Sequence, residues 1–90
     1  GTAVGRGTEI GAGSRVDASV IFDGVTIEPG AVVRNSIIAS GARIGANARI
    51  TDCVIGEGVQ IGARCELQAG MRLWPGVSIP DSGIRFSPDA

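Results

Sequence analysis

The chain has 90 residues, a formal net charge of −1 and eight basic residues, all of them arginine. Apolar residues make up 43% of it, yet it has one Trp, two Phe and no Tyr, which argues against a globular core built on large aromatic rings. The arginines form no basic run, and no apolar run approaches the roughly 18 residues of a membrane span. We therefore expect a thin, extended aliphatic interior and neither nucleic acid nor a membrane as a partner.

Short predicted strands follow one another along the chain, each centred on one aliphatic residue. From Val4 the next such residues come 6, 6 and 5 positions later, and this cycle occurs three times before every step becomes 6. The aliphatic positions are Val4, Ile10, Val16, Ile21, Ile27, Val33, Ile38, Ile44, Ile50, Ile55, Ile61, Leu67, Leu73 and Ile79. Three strands thus make one coil of 17 residues, a period that an α-helix does not produce.

A second inward column lies two positions before each aliphatic residue, because residues i−2 and i share a face of a strand. Most of its members are small, as at Thr8, Ser19 and Ser36, and the residue between the two columns is frequently polar and predicted to point outward. Glycine follows the aliphatic residue at five positions and stands three residues past it at eight. Both glycine sets are predicted to form corners with positive φ.

This register resembles that of the hexapeptide-repeat family, whose members form left-handed parallel β-helices. The resemblance extends from Val4 to Ile79. It implies an all-β fold, a single-stranded left-handed parallel β-helix shaped as a triangular prism of about four to five coils. We expect this β-helix to occupy residues 1–79 and a C-terminal tail to occupy residues 80–90.

Residues that would carry catalysis are missing from the sequence, which has no His and no Lys. Hexapeptide acyltransferases as a family use a His base, and the related carbonic anhydrases bind zinc through three His, so neither activity is expected. A P-loop would need a Lys. Cys53 and Cys65 fall in the inward register and are predicted to fill the core. We expect no catalytic, cofactor-binding or metal-binding residue in this chain.

One segment, Gly5 to Ile10 (GRGTEI), superficially resembles the Gly-rich phosphate loop of sugar nucleotidyltransferase catalytic domains. The coil register already explains its members, since Gly5 and Gly7 are corners and Thr8 and Ile10 point inward. No predicted helix follows to place its N-terminus against a phosphate. The structural interpretation is therefore preferred.

The five-residue steps and the C-terminal segment resemble sugar nucleotidyltransferases. Residues 35–38 (NSII) look like the Asn-Ser-Ile-Ile turns of their β-helices, and residues 73–87 (LWPGVSIPDSGIRFS) are similar to the C-terminus of mannose-1-phosphate guanylyltransferases, or GDP-mannose pyrophosphorylases. The resemblance implies a non-catalytic C-terminal β-helix domain that serves oligomerisation and, in some relatives, regulation. The N-terminal catalytic domain of the parent, with its Mg²⁺, would lie outside this chain, in a cytoplasmic enzyme.

Other parents stay open at this point. Glucose-1-phosphate relatives carry the same kind of domain, so sugar and nucleotide are not fixed by the tail. A stand-alone scaffold β-helix is one alternative. The presence of the tail motif and the absence of a start Met argue instead for excision from a longer parent. A fragment of a hexapeptide acyltransferase is the other, and the absence of His argues against it.

An apolar ladder is predicted on one face of the prism. Ala3, Val20, Ile37 and Val54 each precede an inward aliphatic residue, so they point outward and stack at a spacing of 17 residues. Together with Phe22 they are predicted to contact further copies of the chain in a dimer or trimer, or the missing catalytic domain. The alternative is that the tightened turn tucks these side chains partly inward.

The C-terminal tail is predicted to act as a cap. Pro80 lacks a backbone donor and does not extend a strand ladder in the ordinary way. Ile84 and Phe86 share one face and Trp74 lies nearby in sequence, so these side chains are expected to fold over the last coil and shield its open edge.

Overall fold

A computed structural model describes residues 2–68 and 70–83, which form fourteen short β-strands and no helix. The strands are β1 (Ala3–Val4), β2 (Glu9–Ile10), β3 (Arg15–Asp17), β4 (Val20–Ile21), β5 (Thr26–Ile27), β6 (Val32–Arg34), β7 (Ile37–Ile38), β8 (Arg43–Ile44), β9 (Arg49–Thr51), β10 (Val54–Ile55), β11 (Gln60–Ile61), β12 (Glu66–Leu67), β13 (Arg72–Leu73) and β14 (Ser78–Ile79). Over these described ranges there is accordingly no helix long and apolar enough to cross a membrane.

Each strand pairs in parallel with the strand three places further along the chain, and this pairing builds three sheets around one axis. The first sheet has the order β1-β4-β7-β10-β13, the second β2-β5-β8-β11-β14 and the third β3-β6-β9-β12. Ile21 is paired with Ile38 and Ile38 with Ile55, so the spacing of 17 residues is the coil length predicted from the sequence. The all-β prism of between four and five coils is confirmed.

The aliphatic residues fill the interior of the prism. Ile38, Ile44 and Ile50 lie on successive faces of one coil, and each has an exposed fraction of 0%. The prediction of burial is wrong in the first coil, where Val4 is 50% exposed and Ile10 is 45% exposed. Both residues hold their predicted register with Ile21 and Ile27, but no described coil lies above them. Burial at this position requires a coil on both sides.

Two kinds of glycine occur at the corners, and only one has the backbone conformation predicted for both. The eight glycines three residues past an aliphatic residue have positive φ, between 66° and 79°. The glycines directly after an aliphatic residue do not, so that part of the prediction is wrong. Their lack of a side chain has another cause, because successive coils approach closely there. A Cβ on Gly56, for example, would lie 2.7 Å from the Leu73 carbonyl oxygen.

The five-residue steps form a tighter corner through non-glycine residues. Ala18, Asn35 and Asp52 have φ of 48°, 51° and 55°. The side chains that follow them turn inward and stack. The buried Ser36 Oγ donates to the Arg34 carbonyl oxygen at 2.8 Å and accepts from the Cys53 backbone N–H at 3.1 Å. Every buried side-chain nitrogen or oxygen in the described part of the chain has a hydrogen-bond partner.

Residues 80–83 continue to bond to the coil beneath them. The Ser82 backbone N–H donates to the Ala63 carbonyl oxygen at 2.8 Å, and Asp81 Oδ1 accepts from the Ala63 N–H at 2.9 Å. The coil path therefore extends beyond Ile79. Of the three predicted capping side chains, Ile84 and Phe86 lie outside the described residues, and Trp74 is 77% exposed.

Candidate functional site

The outward face of the first sheet carries the predicted apolar ladder. Val20 is in register with Ala3 on one side and with Ile37 on the other, and Ile37 is in register with Val54. The exposed fractions are 40% for Val20, 43% for Ile37 and 38% for Val54. The tightened corner thus leaves these side chains on the surface instead of tucking them into the core.

A second apolar row runs beside this ladder. Phe22 is 47% exposed, and its backbone N–H donates to the Ile38 carbonyl oxygen at 2.9 Å. The next members of the row are Ala39 and Gly56, and the Gly56 N–H donates to the Leu73 carbonyl oxygen at 2.9 Å, beside Trp74. A shallow cavity of about 290 Å³ opens between Val4, Phe22 and Ser40 at the upper end of this face.

Charge separates this face from the other two. Its outward ladder is uncharged through the first four coils and ends at Arg72, which is in register with Val54. The second sheet instead presents Arg43, whose Nη2 lies 2.7 Å from Glu28 Oε1. The hydrogen bond and the charge of Glu28 raise the pKa of Arg43. The first sheet is therefore the face on which contact with another molecule desolvates the fewest charges.

The polar groups that the sequence singles out are engaged in the coil itself. In the GRGTEI segment the Arg6 N–H donates to Asp23 Oδ1 at 2.8 Å, and Thr8 Oγ1 donates to the Phe22 carbonyl oxygen at 3.1 Å. Both donors are therefore already used within the coil. The segment is a corner of the first coil, as its register predicts.

The two thiols lie inside the prism. Cys53 is 2% exposed and Cys65 is 0% exposed, and neither forms a disulfide. Burial raises the pKa of the Cys53 thiol. Residues 2–68 and 70–83 contain no group of three or more His, Cys, Asp or Glu placed to hold a metal ion.

One feature of the surface escaped the sequence-based prediction. Arg15, Arg34 and Arg49 line a single groove of about 320 Å³ on the outward face of the third sheet. Along the sequence these arginines are far apart. The 17-residue spacing could have predicted this groove, because it places positions 15, 32 and 49 in one column, with residue 34 in the neighbouring column.

Comparisons with known proteins agree with this architecture. The family model of the EIF2B subunit epsilon LbH domain, a left-handed β-helix, matches residues 1–84. Mannose-1-phosphate guanylyltransferase of Mycobacterium tuberculosis is 71% identical over 89 residues, which are 99% of this chain and 25% of that protein. The chain thus spans a quarter of the length of this relative. No solved structure matches the chain.

Proposed function

The chain belongs to the family of the EIF2B subunit epsilon LbH domain, and we propose that it is the left-handed β-helix domain of a nucleotidyltransferase of the mannose-1-phosphate guanylyltransferase type. The observation that carries this proposal is the 71% identity to that enzyme across 99% of the chain. The tail resemblance at residues 73–87 supports the same parent independently of the repeat.

Within this parent the domain is non-catalytic. Both thiols are buried, and the carboxylates of Asp23, Glu28 and Asp52 accept hydrogen bonds from Arg6, Arg43 and Asn35, respectively. A nucleotidyltransferase reaction needs groups that position two phosphorylated substrates, with the Mg²⁺ that the parent's catalytic part would hold. The hydrogen bonds of these three carboxylates link neighbouring coils, so their role in folding is sufficient to explain them.

The test is an assay for pyrophosphate release. The chain is mixed with GTP, mannose 1-phosphate and Mg²⁺, and the full-length Mycobacterium tuberculosis relative serves as the positive control. We expect release from the full-length enzyme and none from the chain above a buffer blank. Turnover by the chain alone would show that the domain itself is catalytic.

The role of the domain in the parent is self-association through the first sheet. Val20, Ile37 and Val54 form a contiguous exposed apolar ladder, with Phe22 beside it, on a prism whose second and third sheets carry charges. Contiguous apolar patches of this kind mark contact surfaces. A second copy of the chain is the simplest occupant, because most homo-oligomers close by twofold symmetry and present the same patch twice.

The oligomeric state is measured by sedimentation over a range of concentrations. Changing Val20, Ile37 and Val54 together to Thr keeps β-propensity while it removes apolar area. We expect this variant to shift towards monomer with its circular dichroism unchanged. The matched control changes Gln60 and Ser78, outward residues of the second sheet, to Thr and is expected to associate as the wild type does. A wild-type chain that is already monomeric at millimolar concentration would contradict self-association and favour the catalytic domain as the occupant.

A further inference from the structure

Three arginines that are distant in sequence lie side by side on the outward face of the third sheet. Arg15 and Arg49 are both in register with Val32, one on each side of it. Their Cα atoms are therefore two strand spacings apart, about 10 Å. Arg34 follows two residues after Val32 on the same face of the middle strand, which places its Cα roughly 8 Å from each of the other two. Arginine side chains are long enough to converge over a triangle of this size.

Within the described part of the chain, these guanidinium groups have no side-chain partner. Among residues 2–68 and 70–83 the structure has a single ion pair, Arg43 with Glu28, and no side-chain hydrogen bond of Arg15, Arg34 or Arg49 occurs there. Asp17 is in register with Arg34 without forming an ion pair. The groove is lined by these three arginines and that carboxylate, so its net charge is +2.

The groove also has a floor and additional donors. Val32 is half-buried at its centre, and Thr51 and Gln68 line its far side. Glu66, in register with Arg49, is half-buried and stands outside the lining, and with it the whole face keeps a charge of +1. A planar guanidinium fork matches a phosphate better than any other basic group, because it donates two parallel hydrogen bonds.

We propose that this groove binds a phosphate group, either inorganic phosphate or the phosphate of a small ester. Three guanidinium groups that line one groove suit an anion with three strong acceptor oxygens and a charge near −2. The basic triangle spans about 10 Å, which fits one or two phosphates. The site lies on a different sheet from the proposed self-association face, so either proposal can fail without the other.

The test is a titration followed by two-dimensional NMR of the ¹⁵N-labelled 90-residue chain. Inorganic phosphate, pyrophosphate and mannose 1-phosphate are added in separate arms at constant ionic strength, with sodium chloride as the blank. We expect saturable shifts of the Nε–H signals of Arg15, Arg34 and Arg49 and of the Val32 amide. The anion that saturates at the lowest concentration identifies whether free or esterified phosphate is preferred.

Two variants and one control decide whether the site is built from these arginines. Arg34→Gln and Arg49→Gln should each weaken the affinity about tenfold, since each removes a hydrogen bond between charged groups. Arg6→Gln, at a corner of the first coil, should bind as the wild type does, and circular dichroism confirms the fold of each variant. Shifts that stay linear to about 50 mM, or an equal effect of Arg6→Gln, would overturn the proposal.

Discussion

Adjacent isoleucines in β7 offer a matched pair for measuring what burial contributes. Ile38 is 0% exposed at the centre of the core, whereas Ile37, one residue earlier, is 43% exposed. Changing either to Ala removes the same atoms and lowers β-propensity equally. At Ile38 the loss of buried methylenes and the resulting cavity should cost about 2–5 kcal/mol. At Ile37 no cavity forms, and the partial burial should cost about 1 kcal/mol or less.

Thermal unfolding followed by circular dichroism measures this difference. For a domain of this size 1 kcal/mol corresponds to about 4–8 °C in Tm, so Ile38→Ala should melt at least about 8 °C below the wild type at every protein concentration. Ile37→Ala should lower Tm by a few degrees, and chiefly at concentrations where copies associate. Equal melting temperatures for the two variants at low concentration would refute the assignment of inward and outward positions.

Three further outcomes are expected from the same kind of measurement. Ala18→Asn should raise the free energy of unfolding by about 1 kcal/mol or less, since Asn tolerates positive φ better than Ala, and a lower Tm would contradict this. Gly45→Ala should cost about 1–3 kcal/mol, because its Cβ would lie 2.6 Å from the Gly62 carbonyl oxygen; an unchanged melt would show that the coils separate easily. Burial raises the pKa of Cys53, so the unfolded chain loses this proton at a lower pH than the folded chain does. The contribution of Cys53 to the free energy of unfolding should therefore be constant below the ordinary thiol pKa of about 8.5 and decline above it. Cys53→Ser should weaken that decline in urea titrations between pH 7 and 10.

The repeat was readable in the sequence because each position in it has a simple physical role. Ile21, Ile38 and Ile55 had to be inward once the period was known, and the structure buries all three. The roles of glycine were harder to separate, since Gly56 and Gly58 are equally small. The first is required by a close backbone approach and the second by a positive φ of 66°, and only coordinates distinguish these causes.

Corners without glycine have a backbone conformation that the sequence pattern does not predict. Asn47 and Arg64 have φ of 59° and 62° in the column of corners where the first two coils have Gly13 and Gly30. Asn is a known occupant of this conformation, but an arginine there carries no sequence signal. The neighbouring coils impose the conformation, because the Arg64 N–H donates to the Ala46 carbonyl oxygen at 2.9 Å and the Ser82 N–H to the Ala63 carbonyl oxygen at 2.8 Å.

The two candidate surfaces also differed in how far the sequence predicted them. Val20, Ile37 and Val54 were predictable because apolar residues at outward positions contradict the pattern of the repeat. The groove of Arg15, Arg34 and Arg49 was not predicted, because arginine at an outward position agrees with the pattern. It became visible only when the three outward positions were placed side by side.

Among the described residues, each strand of this prism pairs only with strands one coil above or below it, which makes the coil a unit of length. Duplicating residues 24–40 would lengthen the prism by about 4.8 Å and bring each face back to the same orientation. The number of coils therefore determines the distance between any two domains attached at the ends of the prism. Insertion or deletion of one coil changes this distance by a fixed step and leaves the packing inside the other coils unchanged.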